Sequence, residues 1–223
     1  MANERIDNLI RGWLGSECAV VSRGIQDPGP TIHPDEAAAV ARATLQRRTE
    51  FATGRWCAHT ALAALGAPTD VIGIGGRREP IWPSGFTGSI THEAYLCLAV
   101  VCPTTRWLTL GVDLVSLANP WPEELTVLVA QKPDELTRLA IGPQALPRPG
   151  QLLFSIKEAA IKALSPILGR WIDFAELHAS VDGNEFTVRI EGTLGIVVTG
   201  WWDQVGDFLI CVAALPRSID QSS

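Results

Sequence analysis

Three polar side chains recur at helical spacing in the largely apolar segment Leu152–Leu164. Ser155, Glu158 and Lys162 stand at positions i, i+3 and i+7, so they share one face of the expected helix. A carboxylate and an ammonium one turn later are thus presented together, towards solvent or towards a ligand. The rest of the helix is turned towards a core by an apolar stripe of Leu153, Ala160, Ile161 and Leu164.

A purely structural role would also explain this polar face. Ser155 and Glu158 fit the spacing of a capping box. Glu158 and Lys162 fit an i,i+4 ion pair, which stabilises a helix by only about 0.2–0.5 kcal/mol. The helix is expected to begin near Pro149 and to end before Pro166. The choice between a structural and a chemical role depends on other motifs.

Arg48 and Arg55 lie seven residues apart in the segment Ala37–Leu65. Its alanine and leucine content favours a helix, with an interruption near Gly54. In a continuous helix the two arginines would share nearly the same face. Such a face is either solvated or turned towards phosphate.

Arg77 and Arg78 follow a short expected strand and stand among glycines and prolines, within residues 75–80. The glycine spacing differs from GxGxxG, and Pro80 prevents the helix that a dinucleotide-binding loop requires, so a Rossmann site is excluded. The two arginines remain candidate anion contacts.

Ser89, Thr91 and His92 place two hydroxyls and an imidazole within four residues. A lone histidine is more often structural, but this group of donors suits phosphate oxygens. The later strand Trp107–Leu114 contains one carboxylate, Asp113. Burying a carboxylate in an apolar strand is unfavourable unless it is paired or bound to a metal.

The composition of the 223 residues is 47% hydrophobic and 19% charged, which predicts one large domain or two small halves with a substantial core. The net charge of −6 argues against general nucleic-acid binding. The N-terminus has acids and no apolar stretch, and the longest apolar run is too short to span a bilayer. We therefore expect a cytoplasmic protein without membrane segments.

The five cysteines are odd in number and contain no CxxC pattern, so no structural disulfide or zinc site is expected. Cys97 and Cys102 stand in apolar sequence and are expected to be buried as small hydrophobic residues. One helix is expected around residues 134–139, and alternating segments between residues 186 and 214 predict an antiparallel sheet. The last residues, 216–223, are expected to fray.

Five motifs follow one another along the chain, namely Arg47-Arg48-x-Glu50-Phe51-x-x-Gly54-Arg55, Arg78-Glu79-Pro80-x-Trp82-Pro83, Gly88-Ser89-Ile90-Thr91-His92, Gly111-Val112-Asp113 and Phe154-Ser155-x-Lys157-Glu158-Ala159-Ala160-x-Lys162-Ala163. In order and spacing, over roughly residues 45–175, they resemble the 4'-phosphopantetheinyl transferases of the siderophore-synthase type. A sixth segment, Gly169-Arg170-x-x-Asp173-Phe174, is also similar to that family.

The resemblance implies an α/β (α+β) fold of two similar, pseudo-symmetric halves within one family domain. The halves would be residues 1–110 and 111–223, with coenzyme A bound in the cleft between them. The first half would supply most nucleotide contacts, and the second the metal and catalytic residues. The family's internal duplication implies a monomer.

The implied reaction transfers the 4'-phosphopantetheine arm of coenzyme A to a serine of an acyl or peptidyl carrier protein, releasing 3',5'-ADP. Such carriers serve siderophore, nonribosomal peptide, polyketide or fatty-acid synthesis. By resemblance, Asp113 and Glu158 would hold Mg²⁺, Glu158 would take the serine proton, and Lys162 would neutralise phosphate charge. The positions that resemble the family's coenzyme A contacts are Arg48, Arg55, Arg78, Ser89, Thr91, His92, Lys157 and Lys162, although the helical phase of Lys157 points away from Glu158.

One position departs from the family pattern Gly-Ile-Asp-x-Glu, because Val115 replaces the second acid. Mg²⁺ commonly uses one or two carboxylates together with phosphates and water, so Asp113 and Glu158 could suffice. The departure leaves two alternatives open. One is a relative that binds coenzyme A or a carrier-bound substrate but performs other chemistry. The other is a non-catalytic accessory protein, against which the intact Glu158 and Lys162 argue.

Overall fold

The structure is a computed structural model that describes residues 2–68, 70–136, 148–192 and 195–217. Its α-helices are α1 (Ala2–Leu14), α2 (Pro34–Ala39), α3 (Leu45–Ala64), α4 (Glu123–Val129) and α5 (Pro149–Leu168). Its strands are β1 (Ala19–Gly24), β2 (Gly73–Ile74), β3 (Pro80–Ile81), β4 (Phe86–Glu93), β5 (Leu96–Pro103), β6 (Trp107–Ser116), β7 (Leu177–Asp182), β8 (Glu185–Ile190), β9 (Val197–Val205) and β10 (Phe208–Pro216).

The strands form two main antiparallel sheets and one small ribbon. The first sheet has the order β1-β5-β4, the second has the order β6-β10-β9-β8-β7, and β2 pairs with β3. The mixed α/β class and the antiparallel C-terminal strands predicted from the sequence are confirmed. Among the described residues, no helix is both long enough and apolar enough to cross a membrane.

Alternate residues of the central strands feed separate hydrophobic clusters, as the two-residue period of a strand requires. On β5, Cys97 and Ala99 pack towards α3, whereas Leu98 and Val100 join a cluster that contains α1 and residues of both sheets. The first sheet is therefore covered on one face by α3 and on the other by α1 and the second sheet.

Helix α5 covers the second sheet and approaches β6 very closely. Gly111 makes this approach possible, because a Cβ at that position would collide with the backbone oxygen of Ala159. Val115 and Cys211 join the cluster that α5 forms with the sheet. The close packing brings polar side chains of α5 within hydrogen-bond distance of β6.

The two sheets meet where β4 faces β6, and side chains of β4 bridge them. The backbone N–H of Val112 donates to Ser89 Oγ at 3.0 Å. Thr91 Oγ1 lies 3.5 Å from Asp113 Oδ1. Residues of the predicted anion-binding motif thus connect the two sheets.

The helix predicted over Ala37–Leu65 is interrupted at a different place from the one expected. The chain leaves the helical conformation between α2 and α3, and the Thr44 side chain caps α3 by accepting from the N–H of Arg47. Gly54 lies inside α3 without a break, packed where a Cβ would stand 2.9 Å from Ile90 Cγ2. A glycine at position 54 therefore allows close packing of α3 against β4 and does not interrupt the helix.

The predicted end of the central helix is wrong, and the structure does not bear out the alternative in which Ser155 and Glu158 form a capping box. Pro166 lies inside α5, which continues to Leu168 and ends at Gly169 in the left-handed conformation, φ 65°. Ser155 lies in the middle of the helix and caps nothing. A capping box does occur at Asp173, before the 3₁₀ turn Phe174–Glu176.

The prediction of no structural disulfide is contradicted by a bond between Cys18 and Cys102. The two residues are 84 positions apart, but the register of β1 with β5 pairs Ala19 with Val101 and so brings the neighbouring cysteines together. Cys97 is free and buried as expected.

Two further expectations fall partly on residues that the structure does not describe. Of the helix expected at 134–139, Glu135 and Leu136 are helical and residues 137–139 lie outside the described part; α4 is a separate, earlier helix. Residues 218–223 of the expected frayed end also lie outside it, whereas Pro216 ends β10.

Candidate functional site

Asp113 of β6 is the centre of a polar cluster, and α5 supplies two of its partners. Lys162 Nζ donates to Asp113 Oδ1 at 2.6 Å, and Ser155 Oγ donates to Oδ2 at 2.9 Å. Lys162 also reaches Thr91 Oγ1 at 3.3 Å. The predicted shared face of Ser155 and Lys162 is therefore directed at Asp113. The buried aspartate has the partners that its desolvation requires.

Glu158 lies on this same face of α5, is half-buried and lines a cleft between α5 and the two sheets. Burial raises the pKa of its carboxyl group, Lys162 opposes that shift, and the charge of Asp113 adds to it. A carboxylate with a raised pKa beside a lysine is suited to taking a proton.

The cluster forms one wall of a cleft of about 600 Å³ between α3, β4, β6 and α5. Charges of both signs line it, so an anionic ligand and a cation could be bound side by side. The cationic or titratable lining residues are Arg47, Arg55, Arg78, His92 and Lys162, and the acidic ones are Glu50, Glu93, Asp113 and Glu158.

Arg55 reaches the cleft from a buried position and is held by backbone oxygens. Its Nη1 donates to the carbonyl of Ile72 at 2.9 Å and its Nη2 to that of Gly73 at 3.4 Å. Burial lowers the pKa of its guanidinium, which Glu36 opposes from 3.9 Å. His59 Nε2 lies 3.0 Å from both oxygens of Glu36, so this pair stands behind Arg55.

Arg47 lines the cleft, whereas the predicted Arg48 is exposed outside the cleft lining. Arg47 precedes Phe51 by four residues and Gly54 by seven, which puts it on their face of α3, about 100° round the helix from Arg48. The same periodicity, applied to Phe51 and Gly54, would have found Arg47 from the sequence.

His92 and Arg78 reach the cleft from opposite ends of the β3–β4 region. His92 Nε2 stands 2.9 Å from Arg47 Nη1 and 3.8 Å from Glu50 Oε2, and burial lowers the pKa of its imidazole. Arg78 is exposed and has φ 68°, a conformation that few side chains adopt.

Lys157, a predicted coenzyme A contact, is not brought to the cleft. Its Nζ is fully buried and donates to Glu135 Oε2 at 2.9 Å and to the carbonyl of Val129 at 2.7 Å. The helical phase of Lys157 already pointed away from Glu158. Ser89 is likewise buried, because its hydroxyl bridges the sheets.

A second groove of about 390 Å³ opens beside Glu158 and Lys162. Its lining includes exposed apolar side chains, namely Leu108, Ile167 and Trp171. Glu158 and Lys162 line both spaces, so two different molecules could reach these residues from two sides.

The described residues contain no group of three or more His, Cys, Asp or Glu side chains that could hold a metal ion unaided. Asp113 and Glu158 nevertheless present carboxylate oxygens to the same cleft, and Val115 packs in the core where the resemblance predicts a second acid of β6. Oxygen ligands suit Mg²⁺, which commonly takes one or two carboxylates together with phosphates. The donors present therefore fit Mg²⁺ held jointly with a phosphorylated ligand.

Comparison with known proteins agrees with the resemblance. A family model described as the 4'-phosphopantetheinyl transferase N-terminal domain matches residues 35–102. The 4'-phosphopantetheinyl transferase Svp of Streptomyces mobaraensis is 38% identical over 188 residues, which cover 82% of this chain and 74% of the relative. This chain belongs to the 4'-phosphopantetheinyl transferases. The predicted family and the predicted enzyme class, a transferase, are confirmed.

Two further relatives of this transferase support the assignment. The 4'-phosphopantetheinyl transferase Npt of Nocardia iowensis is 37% identical over 151 residues, covering 67% of this chain and 66% of the relative. Enterobactin synthase component D of Salmonella typhimurium is 34% identical over 122 residues, covering 54% of this chain and 49% of the relative. The similarity to component D agrees with the predicted siderophore-synthase type.

Proposed function

We propose that this transferase moves the 4'-phosphopantetheine arm of coenzyme A to a serine hydroxyl of an acyl or peptidyl carrier protein. One observation carries the proposal: Asp113, Glu158 and Lys162 meet at the wall of a cleft that arginines also line. In phosphoryl transfer, positioning and charge neutralisation supply most of the catalysis, and these residue types serve both purposes.

Each residue has a proposed part in the reaction. The serine oxygen attacks the phosphorus that carries the pantetheine arm, the bond from that phosphorus to 3',5'-ADP breaks, and Glu158 takes the serine proton. Lys162 offsets the charge that develops on the phosphate oxygens. Mg²⁺, when bound, would neutralise the diphosphate; Asp113 and Glu158 would hold it.

Coenzyme A is proposed to lie in the cleft, between the halves that the resemblance predicts at 1–110 and 111–223. Arg47, Arg78 and His92 would contact its phosphates, with Arg55 and Thr91 adding donors. We add Arg47 to the predicted contacts because it lines the cleft, and we omit Arg48 and Lys157 because they do not. Ser89 would act indirectly, through the bridge between the sheets.

The carrier protein is proposed to approach through the second groove. The groove is apolar at its rim and reaches Glu158 and Lys162, so a serine entering there could meet a diphosphate held in the cleft. Exposed apolar side chains that cluster beside a catalytic pair are typical of a docking surface. A monomer would suffice, since no proposed catalytic residue comes from a second copy.

The decisive experiment is intact-protein mass spectrometry of an apo carrier protein incubated with this transferase, coenzyme A and Mg²⁺. We expect a mass gain of one phosphopantetheine arm. Replacing Glu158→Gln should slow transfer by about 10²–10⁴-fold, the usual contribution of a general base, while coenzyme A binding in calorimetry is retained. The matched control is Glu185→Gln, at an exposed carboxylate on β8.

Val115 is the observation that favours the second candidate, a diverged relative with different chemistry. That candidate would bind coenzyme A in calorimetry but modify none of several carriers. If the Glu158→Gln variant transfers the arm at the wild-type rate, Glu158 has no part in the mechanism, although the transfer activity itself is then confirmed.

A further inference from the structure

Strand β4 turns a row of polar side chains towards β6. They alternate with residues of the opposite face, and the first three of them are buried while the last is half-buried. Two of them contact β6 directly: Ser89 accepts from the N–H of Val112, and Thr91 lies beside Asp113. The row consists of Thr87, Ser89, Thr91 and Glu93.

Glu93 continues this row to the next level of β6. The backbone of Ser116 and the side chain of Asn119 hydrogen-bond to its carboxylate. The contacts along β4 therefore advance along β6 from Val112 through Asp113 to Ser116. Glu93 and Val115 both line the cleft.

The position is notable because Val115 is where a carboxylate is missing. In the family pattern an acid two residues after Asp113 would point to the same face of β6. Val115 instead packs in the core that α5 forms with the second sheet. A carboxylate from β4 therefore lines the cleft in which β6 lacks one, and its hydrogen-bond partner Ser116 is the neighbour of Val115 in the chain.

We propose that Glu93 restores, from β4, the third carboxylate charge of the cation site that Val115 cannot supply from β6. The inference rests on the proposed function, because the cation is the one bound with coenzyme A. Glu93 acts through its charge, outside the direct ligands, since the described residues contain no three-acid metal cluster. The bonds from Ser116 and Asn119 hold the carboxylate in position.

The test is binding of Mn²⁺, as a spectroscopic substitute for Mg²⁺, measured by electron paramagnetic resonance in the presence of coenzyme A. Glu93→Gln keeps the shape and the acceptor oxygen but removes the charge. We expect the Mn²⁺ dissociation constant of this variant to rise by about three- to tenfold, because the cation loses its attraction to one nearby carboxylate that solvent partly screens. Glu185→Gln, exposed on β8, should leave the constant unchanged.

Rescue separates an electrostatic role from structural damage. Adding Val115→Glu to the Glu93→Gln variant should bring the Mn²⁺ constant back towards the wild-type value, which a merely misfolded variant would not do. An unchanged constant in Glu93→Gln, with transfer to the carrier intact in the wild type, would overturn the role of Glu93 alone. If the wild type binds no Mn²⁺, this inference is wrong. The proposed function is tested separately, by modification of the carrier protein.

Discussion

At the scale of single residues, His92 stands where charges of both signs meet. Burial lowers the pKa of its imidazole, Glu50 and Asp113 oppose that shift, and Arg47 and Lys162 add to it. The free imidazole is therefore mostly neutral at pH 7. A phosphate bound beside it would favour the charged form and raise this pKa.

The affinity for 3',5'-ADP should accordingly rise as the pH falls from neutrality. Binding takes up a proton between the low pKa of the free imidazole and the higher pKa of the bound one, and the gain is at most about tenfold per pH unit. Calorimetry from about pH 5 to 8 would measure it. In the His92→Gln variant, the affinity for 3',5'-ADP should depend less on pH. If the variant shows the same pH dependence as the wild type, titration of the ligand's own phosphate, and not His92, causes it.

At the scale of elements, α5 performs two tasks on opposite sides. One face carries Glu158 and Lys162 to the cleft and Ser155 to Asp113, in agreement with the shared face that the i, i+3, i+7 spacing predicted. The other face carries Lys157 into the core, where its ammonium pairs with Glu135. Glu135 also accepts from the N–H of Ala179, so this pair ties the helix to the second sheet.

Replacing Lys157→Met should lower the stability of the protein. The molecules that remain folded should bind coenzyme A as tightly as the wild type does. Removing one partner of a buried ion pair leaves an uncompensated charge and typically lowers the free energy of unfolding by about 3–5 kcal/mol. Urea unfolding would measure the loss of stability, and calorimetry at low temperature would measure the affinity.

A matched double variant identifies the cause. Lys157→Met with Glu135→Gln removes both charges but keeps an oxygen for the N–H of Ala179, so much of the stability should return. Weakened coenzyme A binding in a Lys157→Met protein of normal stability would instead support the original assignment of Lys157 to the cofactor.

At the scale of the whole molecule, Glu158 and Lys162 separate two openings of different character. The cleft is lined by charges of both signs, whereas the second groove has exposed apolar side chains at its rim. Trp171 is the most exposed of these, at 68%. This division fits the proposed reaction between a small anionic donor in the cleft and a protein acceptor at the groove.

Trp171→Ser should therefore raise the KM for the carrier protein by about tenfold, as expected for an aromatic anchor at an interface, and leave the KM for coenzyme A unchanged. Steady-state transfer assays with each substrate varied in turn would measure both constants. Val127→Ser on α4 is the control, because Val127 is 69% exposed and does not line the groove. Equal effects of the two variants would contradict docking at the groove.

The sequence by itself determined the features that depend on local geometry. Helical period placed Glu158 and Lys162 on one face, and the composition of the Asp113 strand indicated a buried carboxylate in need of a partner. The series of motifs also sufficed to identify the family, because their order along the chain does not depend on folding.

Only the tertiary structure decided which of these residues meet. It paired Lys162 with Asp113, where an i,i+4 pair with Glu158 was the local alternative, and it joined Cys18 to Cys102. It also brought Glu93 of β4 and Val115 of β6 to the lining of one cleft. Each of these contacts joins residues from different strands or helices. Their partners follow from which elements pack together and in which register, and no local spacing along the chain contains that information.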